Sequence, residues 1–172
     1  MEKKYATGEE SIHMKNEICI EFDAISENEG LARIVIAAFV SRLDPTVEQV
    51  DDVKTAVSEA VTNAIIHGYE EKGGKVVMKA CLSTEKELSV DVIDKGVGII
   101  DIEQAMQPLF TTAAGNERSG MGFSFMEAFM DRVEVESVLG EGTCVHMWKS
   151  FAARQEQEKP LLQAAVWNQN ER

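Results

Sequence analysis

Glu59 and Asn63 stand four residues apart in a run otherwise built of small and branched apolar residues, Ser58-Glu59-Ala60-Val61-Thr62-Asn63-Ala64-Ile65-Ile66. On a helix that spacing puts both side chains on one face, a turn apart. An amide oxygen is a hard donor suited to Mg²⁺, which takes few protein ligands and keeps waters and phosphate oxygens. A carboxylate one turn away can orient a metal-bound water or accept the proton of an attacking hydroxyl. Further along, Asp94-Lys95-Gly96-Val97-Gly98 closes an alternating apolar segment with a carboxylate and two glycines. An acceptor-only carboxylate there can take a hydrogen bond from an exocyclic amine such as that of adenine. The glycines let the backbone approach a ligand closely.

Three more segments add to this chemistry. Ser119-Gly120-Met121-Gly122 precedes a short helical pattern, and backbone N–H groups at a glycine-rich helix start form an anion site. Arg118, just before them, can reach a terminal phosphate, and Phe110-Thr111-Thr112 supplies either lid contacts or an anchor. Thr143, after Gly140-Glu141-Gly142, can hydrogen-bond a base directly or through water. Taken singly, each signal has a bland structural explanation: a solvated Glu with a hydrogen-bonding Asn, a strand-to-turn Asp-x-Gly, a surface Arg, a β-favouring Thr. His67 sits where it can meet the last carbonyls of its helix. His13 and His146 fall in other elements, which gives no zinc set, and Ser58 near His67 makes no triad because nothing positions an acid behind the histidine.

The elements that must position these groups follow from periodicity. Ile18, Ile20 and Phe22 alternate as on a strand with one buried face. Ser26 and Glu29 spell a capping box, and Leu31, Ile34, Val35, Ala38 and Phe39 then recur at helical spacing up to about Asp44-Pro45. A longer helix runs from about Glu48 to His67 with Val50, Val53, Val57, Ala60, Val61, Ala64 and Ile65 inward, ended by Gly68. After the turn Lys72-Gly73-Gly74, strands carry Val76, Met78, Ala80, Leu82 and then Leu88, Val90, Val92. Residues 99–122 have weak periodicity and the length of a lid. A helix over Phe123–Asp131 and a hairpin through Val133, Val135 and Thr143–Phe151 complete the pattern. Strand, helices, strands, helix, hairpin is the order of an α+β two-layer sandwich with the helices on one sheet face.

At 172 residues the chain is long enough for one domain with a real core. The expected division is a polar extension over 1–13, a domain over 14–151 and a tail over 152–172. No apolar run approaches the ~20 residues of a membrane span. The opening Met1-Glu2-Lys3-Lys4-Tyr5 leads into polar residues rather than a signal-peptide core. Cys19, Cys81 and Cys144 form no metal pair or even framework and read as reduced packing residues, consistent with a cytoplasmic setting. A net charge of −13 argues against general nucleic-acid binding, yet one nucleotide pocket needs only local donors.

In order along the chain, these motifs resemble those of the GHKL ATPase superfamily. Within it, Ser58 to Gly68, Gln107 to Thr112 and Arg118 to Phe123 are similar to the N-box, lid and second glycine box of the sporulation anti-sigma serine kinases. The resemblance covers roughly Met14 to Phe151 and implies the Bergerat sandwich, with a mixed, mostly antiparallel sheet. It further implies that ATP and Mg²⁺ bind between the long helix and the lid, with Asn63 on the metal and Asp94 on the adenine amine. Gly96, Gly98, Thr112 and Thr143 would lie about the nucleotide, and Gly120, Met121 and Gly122 about the phosphates. Arg118 would meet the γ-phosphate, and Glu59 would be the general base. The implied partners are the sigma factor sigma F, which such kinases inhibit, and an anti-anti-sigma protein phosphorylated on serine. A homodimer is implied, and direct nucleic-acid or membrane binding is not. Three rival readings are a kinase for a general-stress sigma factor, a non-catalytic nucleotide-dependent binding module, and a histidine kinase fragment. The last is disfavoured because no upstream helical segment here carries a phosphoacceptor His.

Overall fold

The computed structural model describes residues 14–107 and 121–152. The expected N-terminal extension, most of the expected tail, and Thr112, Arg118 and Gly120 lie outside the described residues. Five strands form one sheet in the order β1-β2-β3-β5-β4. They are β1 (Met14–Asp23), β2 (Lys75–Ser83), β3 (Glu87–Asp94), β4 (Arg132–Val138) and β5 (Gly142–Ser150). Every ladder among the described residues is antiparallel, so the expected admixture of parallel pairing is corrected. Among the described residues four α-helices accompany the sheet: α1 (Glu27–Val40), α2 (Val47–Asn63), the single turn α3 (Ile102–Ala105) and α4 (Gly122–Phe129).

Strand alternation decides which face the helices cover. Val76, Met78, Ala80 and Leu82 of β2, Leu88, Val90 and Val92 of β3, and Val145 and Met147 of β5 are all buried. They pack in one core with Ala32, Ile36, Phe39 and Val40 of α1, Val53, Val57, Ala60 and Val61 of α2, and Met126 of α4. Burial at about 25 cal/mol per Å² of apolar surface makes this single core the main source of stability. The other face carries the opposite parity. One cross-strand row on it reads Cys19, Lys79, Asp91, His146, Glu134.

Local details depart from the sequence expectations. Ser26 has helical backbone angles and makes no side-chain cap hydrogen bond, so the Ser26/Glu29 capping box does not form. The Glu29 carboxylate instead accepts from Ser58 Oγ and lies 3.6 Å from Arg33 Nη1. A true capping box starts α2: Thr46 Oγ1 accepts from Gln49 N–H at 3.2 Å, and Thr46 N–H donates to Gln49 Oε1 at 2.9 Å. The inward face of α1 is also rotated, which leaves Leu31 and Ile34 exposed, the latter at 70%. Cys19 is exposed rather than packed. Cys144 is half-buried, and burial pushes its thiol up to about 12.

The long helix does not end simply at Gly68. After Asn63 it widens into a π-turn over Ala64–Gly68, closed by Tyr69 N–H donating to the Ala64 carbonyl at 2.9 Å. Single π-turns inside helices are rare and recur at functional sites.

Candidate functional site

Glu59 and Asn63 emerge half-buried from the last turns of α2, as the four-residue spacing requires. The first residue of α4 closes on them. A Cβ placed on Gly122 would lie 3.1 Å from Glu59 Oε2 and 3.2 and 3.3 Å from the Asn63 Nδ2 and Oδ1 atoms. The missing side chain therefore keeps open a cradle bounded by a carboxylate, an amide and the start of a helix. Met121 immediately precedes α4, and its carbonyl accepts from Phe125 N–H at 2.9 Å. Among the described residues no group of three or more His, Cys, Asp or Glu could hold a metal alone. One hard amide oxygen beside open space suits a cation that keeps waters and phosphate oxygens in its shell.

The second wall is built around Asp94 at the end of β3, which is only 6% exposed. Its Oδ1 accepts from Gly96 N–H at 2.8 Å, and Thr143 N–H donates to the same carboxylate. Burial raises the Asp94 pKa, and these two bonds pull partly the other way. Three glycines let backbone pack directly on this turn. A Cβ at Gly68 would meet Asp94 Cγ and Oδ1 at 2.9 Å, and one at Gly96 would meet the Gly68 carbonyl oxygen at 2.1 Å. Gly142, at φ +110°, would put a Cβ 2.1 Å from the Asp94 carbonyl oxygen, a position that both space and conformation reserve for glycine. Val97 N–H donates to the Gly68 carbonyl at 2.9 Å, which ties the π-turn to the Asp94 turn. Gly98 packs against the Val138 carbonyl across the hairpin turn.

One helix thus joins the two walls. Asn63 ends α2, and Gly68, five positions on, touches Asp94. Of the residues singled out in the sequence, the structure gathers Glu59, Asn63, Met121 and Gly122 at one end and Asp94, Gly96, Gly98 and Thr143 at the other.

Three further residues brace this arrangement without having been singled out. Tyr69 Oη accepts from Lys95 N–H at 2.8 Å and donates to the Lys75 carbonyl at 2.5 Å. Ser137 Oγ accepts from Ile99 N–H at 2.8 Å and lies 3.0 Å from Thr143 Oγ1. The Lys149 ammonium, 11% exposed, donates to Asp52 Oδ2 at 3.1 Å and to the Phe129 carbonyl at the end of α4. Ser137 left a trace in the sequence, because it breaks the inward column Val133, Val135 with a hydroxyl. Tyr69 and Lys149 left none.

Residues 22–149 match the histidine kinase-like ATPase domain family. The anti-sigma F factor of Clostridium acetobutylicum is 55% identical over 139 residues, 81% of this chain and 96% of that protein. The chain belongs to the anti-sigma F factor family. Other members resemble it as broadly. The Thermoanaerobacter sp. anti-sigma F factor is 58% identical over 130 residues, 76% of this chain and 90% of that protein. The Geobacillus stearothermophilus factor is 51% identical over 142 residues, 83% and 97% respectively. The fold is shared more widely. A crystal structure of the RsbU and RsbW domains of a Mycobacterium tuberculosis protein superposes with a TM-score of 0.57 at 19% identity. It covers 79% of this chain and 32% of that one. The family match gives this chain a histidine kinase-like ATPase domain. No helix among the described residues is long and apolar enough to cross a membrane.

Proposed function

We propose that this chain is an ATP-dependent protein-serine kinase as well as an anti-sigma factor, acting as a cytoplasmic homodimer. In this reading it holds sigma F inactive and phosphorylates a serine of the anti-anti-sigma protein that would release it. The observation that carries the reading is the closure of Gly122 on Glu59 and Asn63, one short helical span from the buried Asp94. The working unit is the segment 14–151.

The roles follow from chemistry at each end. Asp94 accepts from the adenine amine, with Gly96, Gly98 and Thr143 shaping the base site and excluding water. Backbone N–H groups around Met121 and Gly122 face the phosphates, joined by Gly120, with Thr112 and Arg118 completing the set from the lid. Asn63 Oδ1 holds Mg²⁺, whose charge when bound neutralises the phosphate oxygens and templates the transfer. Glu59 takes the proton of the incoming serine hydroxyl onto its carboxylate. Phosphoryl transfer depends mainly on positioning and charge neutralisation, so this modest set suffices. Arg33, on the exposed side of α1 with Ile34 and Lys54 around a shallow cleft, is the candidate anchor for protein partners.

The test is incubation of the full chain with γ-labelled Mg-ATP and the anti-anti-sigma protein, followed by phosphoserine mapping. Label on one partner serine is the expected result. Tight ATP binding with no transfer would sink the kinase assignment and leave a nucleotide-gated binding module.

A further inference from the structure

The peptide group joining Asp94 to Lys95 is gripped from both sides. Its carbonyl faces Gly142, where a Cβ would approach within 2.1 Å. Its N–H lies just past the end of β3 and donates to Tyr69 Oη at 2.8 Å. That hydroxyl is itself fixed, because it donates to the Lys75 carbonyl at the start of β2, at 2.5 Å. The Tyr69 ring is fixed too, packed so closely on Gly74 that a Cβ there would meet ring carbon Cε1 at 2.2 Å. Gly74 cannot drift away freely, since its carbonyl accepts from Ala24 N–H at 2.9 Å. A phenolic oxygen with one donor and one acceptor partner is a rigid strut between the base of β2 and the turn that aims the Asp94 carboxylate.

We propose that Tyr69 is a positioning residue for base recognition, which sets the aim of Asp94 and thereby the preference for adenine over guanine nucleotides. The proposal rests on the nucleotide reading above. Hydrogen bonds weaken steeply as donor and acceptor leave alignment. Adenine offers an amine to the buried carboxylate where guanine offers a carbonyl oxygen, so discrimination depends on where that carboxylate points. Freed from Tyr69, the Lys95 amide turns toward water and the Asp94 turn shifts with it.

The experiment is calorimetric titration of the full chain with the magnesium salts of ATP and GTP, beside its thermal unfolding without nucleotide. Wild type is expected to prefer ATP, and Asp94→Asn to erase that preference. Tyr69→Phe keeps the ring on Gly74 and removes one hydroxyl. It should weaken ATP binding roughly five- to tenfold, the size of one lost hydrogen bond, while GTP binding stays as it was. Gly74→Ala, which pushes the ring while keeping the hydroxyl, should narrow the ATP preference in the same direction. Equal losses for both nucleotides in Tyr69→Phe would mark the residue as merely structural and overturn the proposal. An undiminished ATP preference in both variants, with Asp94→Asn flat, would overturn it while leaving the nucleotide reading intact. Absence of ATP binding in wild type would overturn both.

Discussion

Gly96→Ala tests whether the two walls of the site are held together by backbone contact. The added methyl would begin 2.1 Å from the Gly68 carbonyl oxygen and 2.3 Å from its carbon. A C···O contact needs about 3.3 Å, so the turn must retreat by about 1.2 Å. That movement stretches the Val97 N–H bond to the same carbonyl, now 2.9 Å, past useful length. Losing it costs about 1 kcal/mol, and overpacking adds about 1–3 kcal/mol. Gly96 is not among the positive-φ glycines, so the cost is spatial rather than conformational. The sum, about 2–4 kcal/mol, lowers the melting temperature of a chain this size by about 5–15 °C. It should also abolish tight ATP binding, since Gly96 N–H donates to Asp94 Oδ1. Gly30→Ala is the matched control: it lies within α1 with nothing within 4 Å of the new carbon. It should stabilise by about 0.5–1 kcal/mol. Thermal melts and ATP titration of both variants decide the matter. A Gly96→Ala protein that melts and binds like wild type would show that the Gly68–Gly96 contact carries neither stability nor site geometry.

Other expectations concern the two ends and the brace. Glu59→Gln should retain Mg-ATP binding and lose transfer to the partner serine by about 10²- to 10⁴-fold in a labelled-phosphate assay; unchanged transfer would remove Glu59 as base. Asn63→Ala should weaken nucleotide binding in magnesium far more than in chelator, and equal affinities in the two would refute the metal role. Because burial raises the Asp94 pKa, its proton favours the folded state fully below the ordinary carboxylate value, and that contribution is lost as pH rises through the raised one. The melting temperature of Asp94→Asn relative to wild type should therefore climb as pH is taken from acid to neutral, and a flat or falling difference would contradict the burial argument. Lys149→Met leaves Asp52 and the last carbonyl of α4 unpaired at a site 11% exposed on the lysine side. Asp52 is a third exposed, which trims the cost to about 2–3 kcal/mol by urea unfolding.

The fold was legible wherever burial follows a simple period. Leu88, Val90 and Val92 alternate inward as expected, as do Val53, Val57, Ala60 and Val61 on α2. The Glu59/Asn63 pairing was equally legible, because helix geometry alone puts such residues on one face. What failed was chemistry with competing partners. Ser26 and Glu29 match a capping box, but the Glu29 carboxylate is engaged by Ser58 from the neighbouring helix α2 and by Arg33 one turn along α1. The apolar series on α1 pointed to Leu31 and Ile34, while the small residue Ala32 and Ile36 face the core. Tyr69 was invisible because its partners are backbone groups of Lys75 and Lys95, and backbone partners leave no mark on residue type.

The π-turn over Ala64–Gly68 acts as a phase shifter. An ordinary α-helix continued from Asn63 would carry position 68 around the axis by 100° per residue. The wider turn advances less, and Gly68 arrives facing Asp94 instead of passing it. The same five residues wound at the usual α-helical pitch would turn through about 500°, roughly one residue's rotation further than the wider turn. Glu59 and Asn63 would keep their places while everything after them rotated away from the base end. A change of pitch with no change of length can thus disconnect the two halves of the pocket without touching any group that meets the ligand.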